Sequence, residues 1–306
     1  IAIPLFVLSG DLMLDGAISK ALVDLAKSMF GWVRGNLALT TTLGSMLFGA
    51  VSGSGPATAS AIGSIVAEPM AEEGYPRAYT SAVIAASSPL GSLIPPSILM
   101  VVYGAASGAS IAKMLMSGIG PGILFGVLFM IYEIHVGRRA EYGSVTPFSL
   151  SQFLVALRKG VWALIAPVII LGGIYSGIFT PTEAAAVTVF YSLFVGMVVN
   201  RTIKLKNLPS ILLRSGVTSG AILFVLGTVA AFGYVITREG IPQQLTIAAT
   251  SFIKTPIMFL IVSQVILVVA GMLMNGSAAI MLLVPLFLPT VRQYGIDPVY
   301  FGGLMV

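Results

Sequence analysis

Three clusters of small and polar residues interrupt otherwise apolar sequence. They are Ser52-Gly53-Ser54-Gly55-Pro56, then Ser87-Ser88-Pro89-Leu90-Gly91-Ser92 running on to Pro95-Pro96-Ser97, and Asn275-Gly276-Ser277. Glycine and proline loosen a helix, and what they free here is backbone carbonyls and helix ends, beside serine hydroxyls and an asparagine amide. Hard cations such as Na⁺ take oxygen ligands, and unwound carbonyls can supply them without a carboxylate. The half-helices that begin after the first and third clusters, near Thr58 and Ala278, would turn positive dipole ends toward an anion. A cation site beside an anion site is the arrangement of ion-coupled transport. The plainer reading is that small residues let membrane helices pack closely; two tips and a third break with tandem prolines favour the ligand reading.

Other chemistry is poorly represented. No Lys follows a Gly, so there is no phosphate-binding P-loop, and there is no GxSxG serine motif. The chain has no cysteine, which excludes disulfides and thiolate metal sites. Its one histidine, His135, stands beside Arg138 and Arg139 and reads as a residue at a helix end. Glu183, after Thr180-Pro181-Thr182, reads as the opening turn of a helix. Asp11, Asp15, Glu72 and Glu73 read as solvated interfacial acids; Glu68, at the end of the first hairpin, is the carboxylate to test for a proton role. No enzymatic activity is expected.

The elements that must position these clusters can be read from composition. Of 306 residues, 57% are apolar and 9% charged, against about 25% charged in a soluble protein. Charge-free runs cover 35 to 67, 78 to 112, 114 to 132, 160 to 182, 184 to 200, 215 to 237 and 255 to 291, and roughly 20 apolar residues span a bilayer as a helix. The fold class is an all-α polytopic membrane protein. The net charge of +5 is that of basic cytoplasmic loops rather than of a nucleic-acid surface. The runs at 35 to 67, 78 to 112 and 255 to 291 are too long for one straight crossing, and each holds one of the three clusters near its middle. Non-helical backbone at membrane depth is tolerated only where protein buries it or it lines a wet cavity. The runs therefore read as a re-entrant hairpin, a broken helix and a second re-entrant hairpin. From Asp15 to Arg34 the apolar Ile18, Leu22, Leu25, Met29 and Trp32 oppose Lys20, Asp24 and Lys27, which suits a helix lying in the interface plane.

With both hairpins leaving on the side they entered, twelve basic residues fall on one side, among them Arg34, Arg77, Arg138, Arg139 and Arg214. Four fall on the other: Lys113, Arg238, Lys254 and Arg292. The first side is then cytoplasmic, and the hairpins open to opposite sides. Ile3-Pro4 through Leu8-Ser9-Gly10 parallels Ala166-Pro167 through Leu171-Gly172-Gly173. With the opposite hairpin orientations, this reads as a first inverted repeat, 1–150, and a second, 151–306, with the loop from Gly137 to Gly160 as the natural boundary. A start at Ile1 and an end inside apolar Gly303-Leu304-Met305-Val306 read as those of a fragment.

The stretch Gly44 to Ser97, GSMLFGAVSGSGPATASAIGSIVAEPMAEEGYPRAYTSAVIAASSPLGSLIPPS, together with Gly173-Ile174-Tyr175-Ser176-Gly177 and Phe179-Thr180-Pro181-Thr182-Glu183-Ala184-Ala185, resembles the large membrane subunit of the tripartite ATP-independent periplasmic (TRAP) transporters. The resemblance covers essentially the whole chain. It implies an elevator-type importer of small organic anions such as carboxylates or acidic sugars, driven by Na⁺, in the inner membrane of a bacterium or archaeon. It also implies two partners, a small four-helix membrane subunit and a periplasmic substrate-binding protein. By position, Ser52, Gly53, Ser54, Gly55, Gly91, Ser92 and Pro95 would border one sodium site, and Asn275, Gly276 and Ser277 the second. Ser54, Pro56, Ser92, Pro96, Asn275 and Ser277 would face substrate. The alternative is an ion channel whose Ser/Gly loops form a filter.

Overall fold

The computed structural model describes residues 2–16 and 18–306, with the backbone alone at positions 237, 248 and 249. All regular elements among the described residues are helical: α1 (Ala2–Asp15), α2 (Ile18–Phe30), α3 (Asn36–Ser52), α4 (Gly55–Glu72), α5 (Arg77–Ser87), α6 (Leu90–Leu93), α7 (Ile98–Ser107), α8 (Ile111–Ser117), α9 (Ile119–Ala140), α10 (Leu150–Tyr175), α11 (Pro181–Phe194), α12 (Leu208–Arg238), α13 (Ile241–Phe252), α14 (Pro256–Leu273), α15 (Gly276–Gln293) and α16 (Pro298–Met305). A π-helical turn, Val195–Val199, prolongs α11. Among the described residues six stretches are long and apolar enough to cross a membrane: Ile111–Ala140, Leu150–Tyr175, Pro181–Val199, Leu205–Ile236, Pro256–Leu273 and Gly276–Gln293. Their outer faces carry bare side chains such as Phe190, Phe224 and Met272. That exposure suits a lipid solvent, in which the chain is a multi-pass membrane protein.

The chain forms two compact units. The first runs up to Ile98 and from Gly118 to Ser215; the second holds Leu99–Ser117 and Gly216–Val306. In the first unit α3 is the central helix, packed by α1, α2, α4, α5, α6, α9 and α10. Its sequence is uncharged on every face, as a helix buried all round must be. Several of its hydroxyls are satisfied locally or across the packing: Thr41 Oγ1 donates to Leu37 O at 2.7 Å, and Ser45 Oγ lies 3.1 Å from Ser87 Oγ, while the buried Thr40 Oγ1 has no hydrogen-bond partner. α3 and α4 pack against each other as a helical hairpin with a two-residue turn. Gly53 ends α3 at φ 64°, in the left-handed region that glycine enters without a Cβ penalty. Ser54 then caps α4, its side chain accepting from Ala57 N, with Pro56 in the first turn.

α4 continues past the end of the apolar run, through Pro69 to Glu72, because its acidic residues lie on an exposed face and do not oblige the helix to stop. The second long run breaks at 94–97, between α6 and α7, where Pro95 and Pro96 remove two backbone donors. In α2 the amphipathic split is present, but protein covers the apolar face. Ile18, Leu22 and Leu25 are buried on a helix that packs against α3 and α10, while Met29 and Trp32 stay exposed. Asp11 and Asp15 are paired rather than simply solvated. Arg214 Nε lies 3.4 Å from Asp11 Oδ1 and Arg214 Nη2 3.1 Å from Asp15 Oδ1, and Ser215 Oγ donates to Asp11 Oδ2. Glu73 is likewise engaged, its Oε2 accepting from Ser144 N at 3.1 Å.

In the second unit, α14 and α15 pack on each other and on α16. An aromatic cluster of Phe259, Phe287, Tyr294 and Phe301 fills the space between them. Tyr103 Oη donates to Pro298 O at 2.7 Å, and Thr246 and Thr290 share a buried hydroxyl contact of 2.8 Å. The turn between α14 and α15 is Met274-Asn275, both in extended conformation.

Candidate functional site

The first tip is a closed, oxygen-rich structure built from three pieces of chain. Gly53 O accepts from Ile98 N at 3.1 Å, and Gly55 N donates to Ser92 Oγ at 2.8 Å. These two bonds tie the α3–α4 turn to both sides of the break at 94–97. Inside the tip, Ser54 O accepts from Thr58 N at 3.0 Å and from Thr58 Oγ1 at 2.8 Å, while Ser52 Oγ lies 3.4 Å from Thr58 Oγ1. Ser52 and Thr58 are buried.

Glycines make this approach possible. A Cβ on Gly91 would run into the Thr58 side chain, and one on Gly53 would strike Pro96 O. A Cβ on Gly49 would meet Gly91 Cα, and one on Gly55 would come within 2.9 Å of Ser92 Oγ. Hydroxyl and carbonyl oxygens of Ser52, Ser54, Thr58, Ser92 and Pro96 are thus held close together without a carboxylate among them. Such a neutral oxygen set fits a monovalent cation, whose charge needs no formal counter-ion. Thr58, which its sequence context marks only as a residue of the opening helix, is the side chain that joins the two halves of the tip.

Ser52, Gly53, Ser54, Gly55, Gly91 and Ser92 are therefore brought together, with Pro96 beside them. Pro95, next to it, is linked to Pro96 by a cis peptide bond, and Pro56 serves the first turn of α4.

The second tip is simpler. Asn275 is exposed, and its Oδ1 accepts from Ser277 N at 2.9 Å, capping α15. A Cβ on Gly276 would lie 3.1 Å from Leu99 Cδ1. The geometry at Asn275 is that of a helix cap, which Ser would also satisfy. Asn275→Ala should lower the melting temperature by the equivalent of about 1 kcal/mol, with Asn275→Ser restoring it. Thermal unfolding of the detergent-solubilised variants is the check.

The other singled-out residues have clear placements. Glu183 and Thr180 form a reciprocal capping box, Glu183 N donating to Thr180 Oγ1 and Thr180 N to Glu183 Oε2 at 2.8 Å. Glu68 and His135 are exposed. Sequence reasoning passed over Glu133, which is 4% exposed in the middle of the packed face of α9. Its signal was a lone acid ending the apolar run 114 to 132.

A family model described as "Tripartite ATP-independent periplasmic transporter, DctM component" matches residues 1–306. The chain belongs to this DctM family. Among relatives, the C4-dicarboxylate TRAP transporter large permease protein DctM of Pseudomonas aeruginosa is 43% identical over all of this chain and 72% of its own length. The 2,3-diketo-L-gulonate TRAP transporter large permease protein YiaN of Escherichia coli is 33% identical, again over all of this chain and 72% of its own. The isethionate TRAP transporter permease protein DctMQ of Oleidesulfovibrio alaskensis is 40% identical over all of this chain and 48% of its own. These DctM-family relatives are named as transporter permeases, not as enzymes, and the channel alternative gains no support from them.

Proposed function

We propose that this chain is the permease part of a sodium-coupled importer of small organic anions, fed by a periplasmic binding protein and partnered by a small four-helix membrane subunit in the inner membrane of a bacterium or archaeon. The observation that carries the sodium assignment is the closed first tip, where Thr58, Ser54 and Ser92 gather uncharged oxygens around Gly91. The anion assignment draws on the ligands in the relatives' names, since a C4-dicarboxylate, a diketogulonate and isethionate are all small acids. In this reading 1–150 and 151–306 are inverted repeats, the hairpins at 35–67 and 255–291 are re-entrant from opposite sides, and the two carry substrate by an elevator movement. Substrate would meet Ser54, Pro56, Ser92, Pro96, Asn275 and Ser277. The N-terminal ends of α4 and α15 lend their positive dipoles to the bound anion, so that no Lys or Arg is needed at the tips.

Sodium and substrate in one neighbourhood must raise each other's affinity by the same factor, because linkage is reciprocal. The test is uptake of labelled small acids into proteoliposomes holding the whole permease with its partners, substrate being titrated at several sodium concentrations. A sodium-dependent shift in substrate affinity is expected, and an affinity indifferent to sodium rejects the reading. Asn275→Ser, which keeps the cap, should lose part of that shift if the second tip is a ligand site.

Topology gives an independent check. The chain has no native cysteine, so single cysteines report cleanly. Replacements at the exposed Val145 and Lys206 should be labelled only from the cytoplasm, and one at the exposed Gln293 only from outside. Labelling of positions 145 and 293 from the same side would break the inverted-hairpin arrangement.

A further inference from the structure

α9 turns a narrow stripe inward: its buried residues are Gly122, Gly126, Glu133 and Gly137. Three of the four are glycine, and they let the backbone press against its neighbours. A Cβ on Gly137 would lie 2.6 Å from Gly35 Cα, one on Gly126 would hit the Met46 side chain, and one on Gly122 would lie 2.6 Å from Ile94 Cγ1. Into this tight seam with α3 and α6 the chain places one long side chain, and it is a carboxylic acid.

Glu133 Oε1 accepts a hydrogen bond from Thr42 Oγ1 at 2.5 Å, and Thr42 is itself fully buried. Glu133 Oε2 is buried with no hydrogen-bond partner. Among the described residues the Thr42 hydroxyl is the group that favours a negative charge there, and no basic side chain is placed to offset one. α3 and α6 contain no titratable residue. From α5 and the loop before it the phenols of Tyr79 and Tyr75 lie within reach of its field, and burial pushes the Tyr75 hydroxyl up to about 12, so it stays neutral. On α9 itself Tyr132, His135, Arg138 and Arg139 are exposed, and Arg34, from the turn before α3, is paired with Glu141 at 3.2 Å. A bare carboxylate in this seam would be an uncompensated buried charge, at a cost of several kcal/mol.

We propose that Glu133 is a proton-binding site in the α3–α9 seam: its carboxyl holds a proton while the seam is closed, and gives it up to solvent water, leaving a carboxylate, when the seam opens. A proton suits the site better than Na⁺. The Thr42 hydroxyl is the hydrogen-bond partner of Oε1 and Oε2 has none, so the site offers a metal ion few oxygens beyond the carboxylate itself. Arg138 lies five residues along α9, about 7.5 Å at 1.5 Å per residue, so the exchangeable proton sits a short step from the charged end of the helix. The inference stands apart from sodium coupling, since it predicts a titration even in a permease that moves no substrate.

Infrared difference spectra of the whole permease in lipid, recorded across a pH titration, read the carbonyl stretch of a protonated carboxylic acid directly. The expected result is such a band at neutral pH that disappears at high pH, is lost in Glu133→Gln and is moved in frequency in Glu133→Asp. Should Glu133→Gln fold poorly, the aspartate variant still assigns the band. Absence of the band in the parent chain, or a band that neither variant alters, overturns the proposal. A band that sodium removes at constant pH overturns it too, by making Glu133 a metal ligand.

Discussion

Gly53→Ala should abolish sodium-driven uptake while leaving a folded, membrane-inserted protein. Residue 53 sits at φ 64°, where any side chain costs on the order of 1 to 3 kcal/mol, and the added methyl would also strike Pro96 O. Relief requires the α3–α4 turn to back away from the break at 94–97. That movement would lengthen the bond from Ile98 N to Gly53 O and pull the tip oxygens apart. Because a site of neutral oxygens depends wholly on their spacing, a displacement of this kind removes cation affinity rather than trimming it. Uptake against sodium concentration, normalised to the amount of protein in the vesicle, is the measurement. A variant retaining parent-like sodium dependence would show that the tip is only a turn.

Thr58→Val should weaken apparent sodium affinity by about 10- to 100-fold with little change in expression. Valine keeps the volume under Gly91 but removes a buried hydroxyl that bonds Ser54 O at 2.8 Å and approaches Ser52 Oγ. Losing one partner in such a set costs about 1 to 3 kcal/mol, and the middle of that interval, about 1.4 to 2.8 kcal/mol, converts to that range in affinity. Thr58→Ser, which restores the hydroxyl without the methyl, should recover most of the loss. Equal sodium affinity in parent and Thr58→Val would take Thr58 out of the site.

The breaks in the long apolar runs were legible because their residues act locally. Gly53 is needed for a left-handed turn, Pro95 and Pro96 cannot donate, and Asn275 caps α15. Thr180-Pro181-Thr182-Glu183 likewise spells a capped helix start in sequence alone. Other features depend on what lies across the packing. Periodicity showed that Ile18, Leu22 and Leu25 share a face of α2, but periodicity names a face and not its cover, which proved to be α3 and α10. Thr58 looks like any residue in an opening turn until Gly91 is brought beneath it. Asp11 and Asp15 read as solvated because their partner, Arg214, is some 200 residues away. Glu133 was visible as a lone acid among apolar residues, yet scanning for charge-free runs treats such a residue as a boundary and so passes over the best-buried carboxyl of the first unit.

Reversing the sodium gradient at constant membrane potential, with the whole permease and its partners in proteoliposomes, tests the central claim most directly. The account predicts that a labelled small acid, present at equal concentration on both sides, accumulates on whichever side sodium flows toward, and that the accumulation vanishes when potassium replaces sodium. Movement of the acid that ignores the direction of the sodium gradient, or that persists unchanged in potassium, would contradict it.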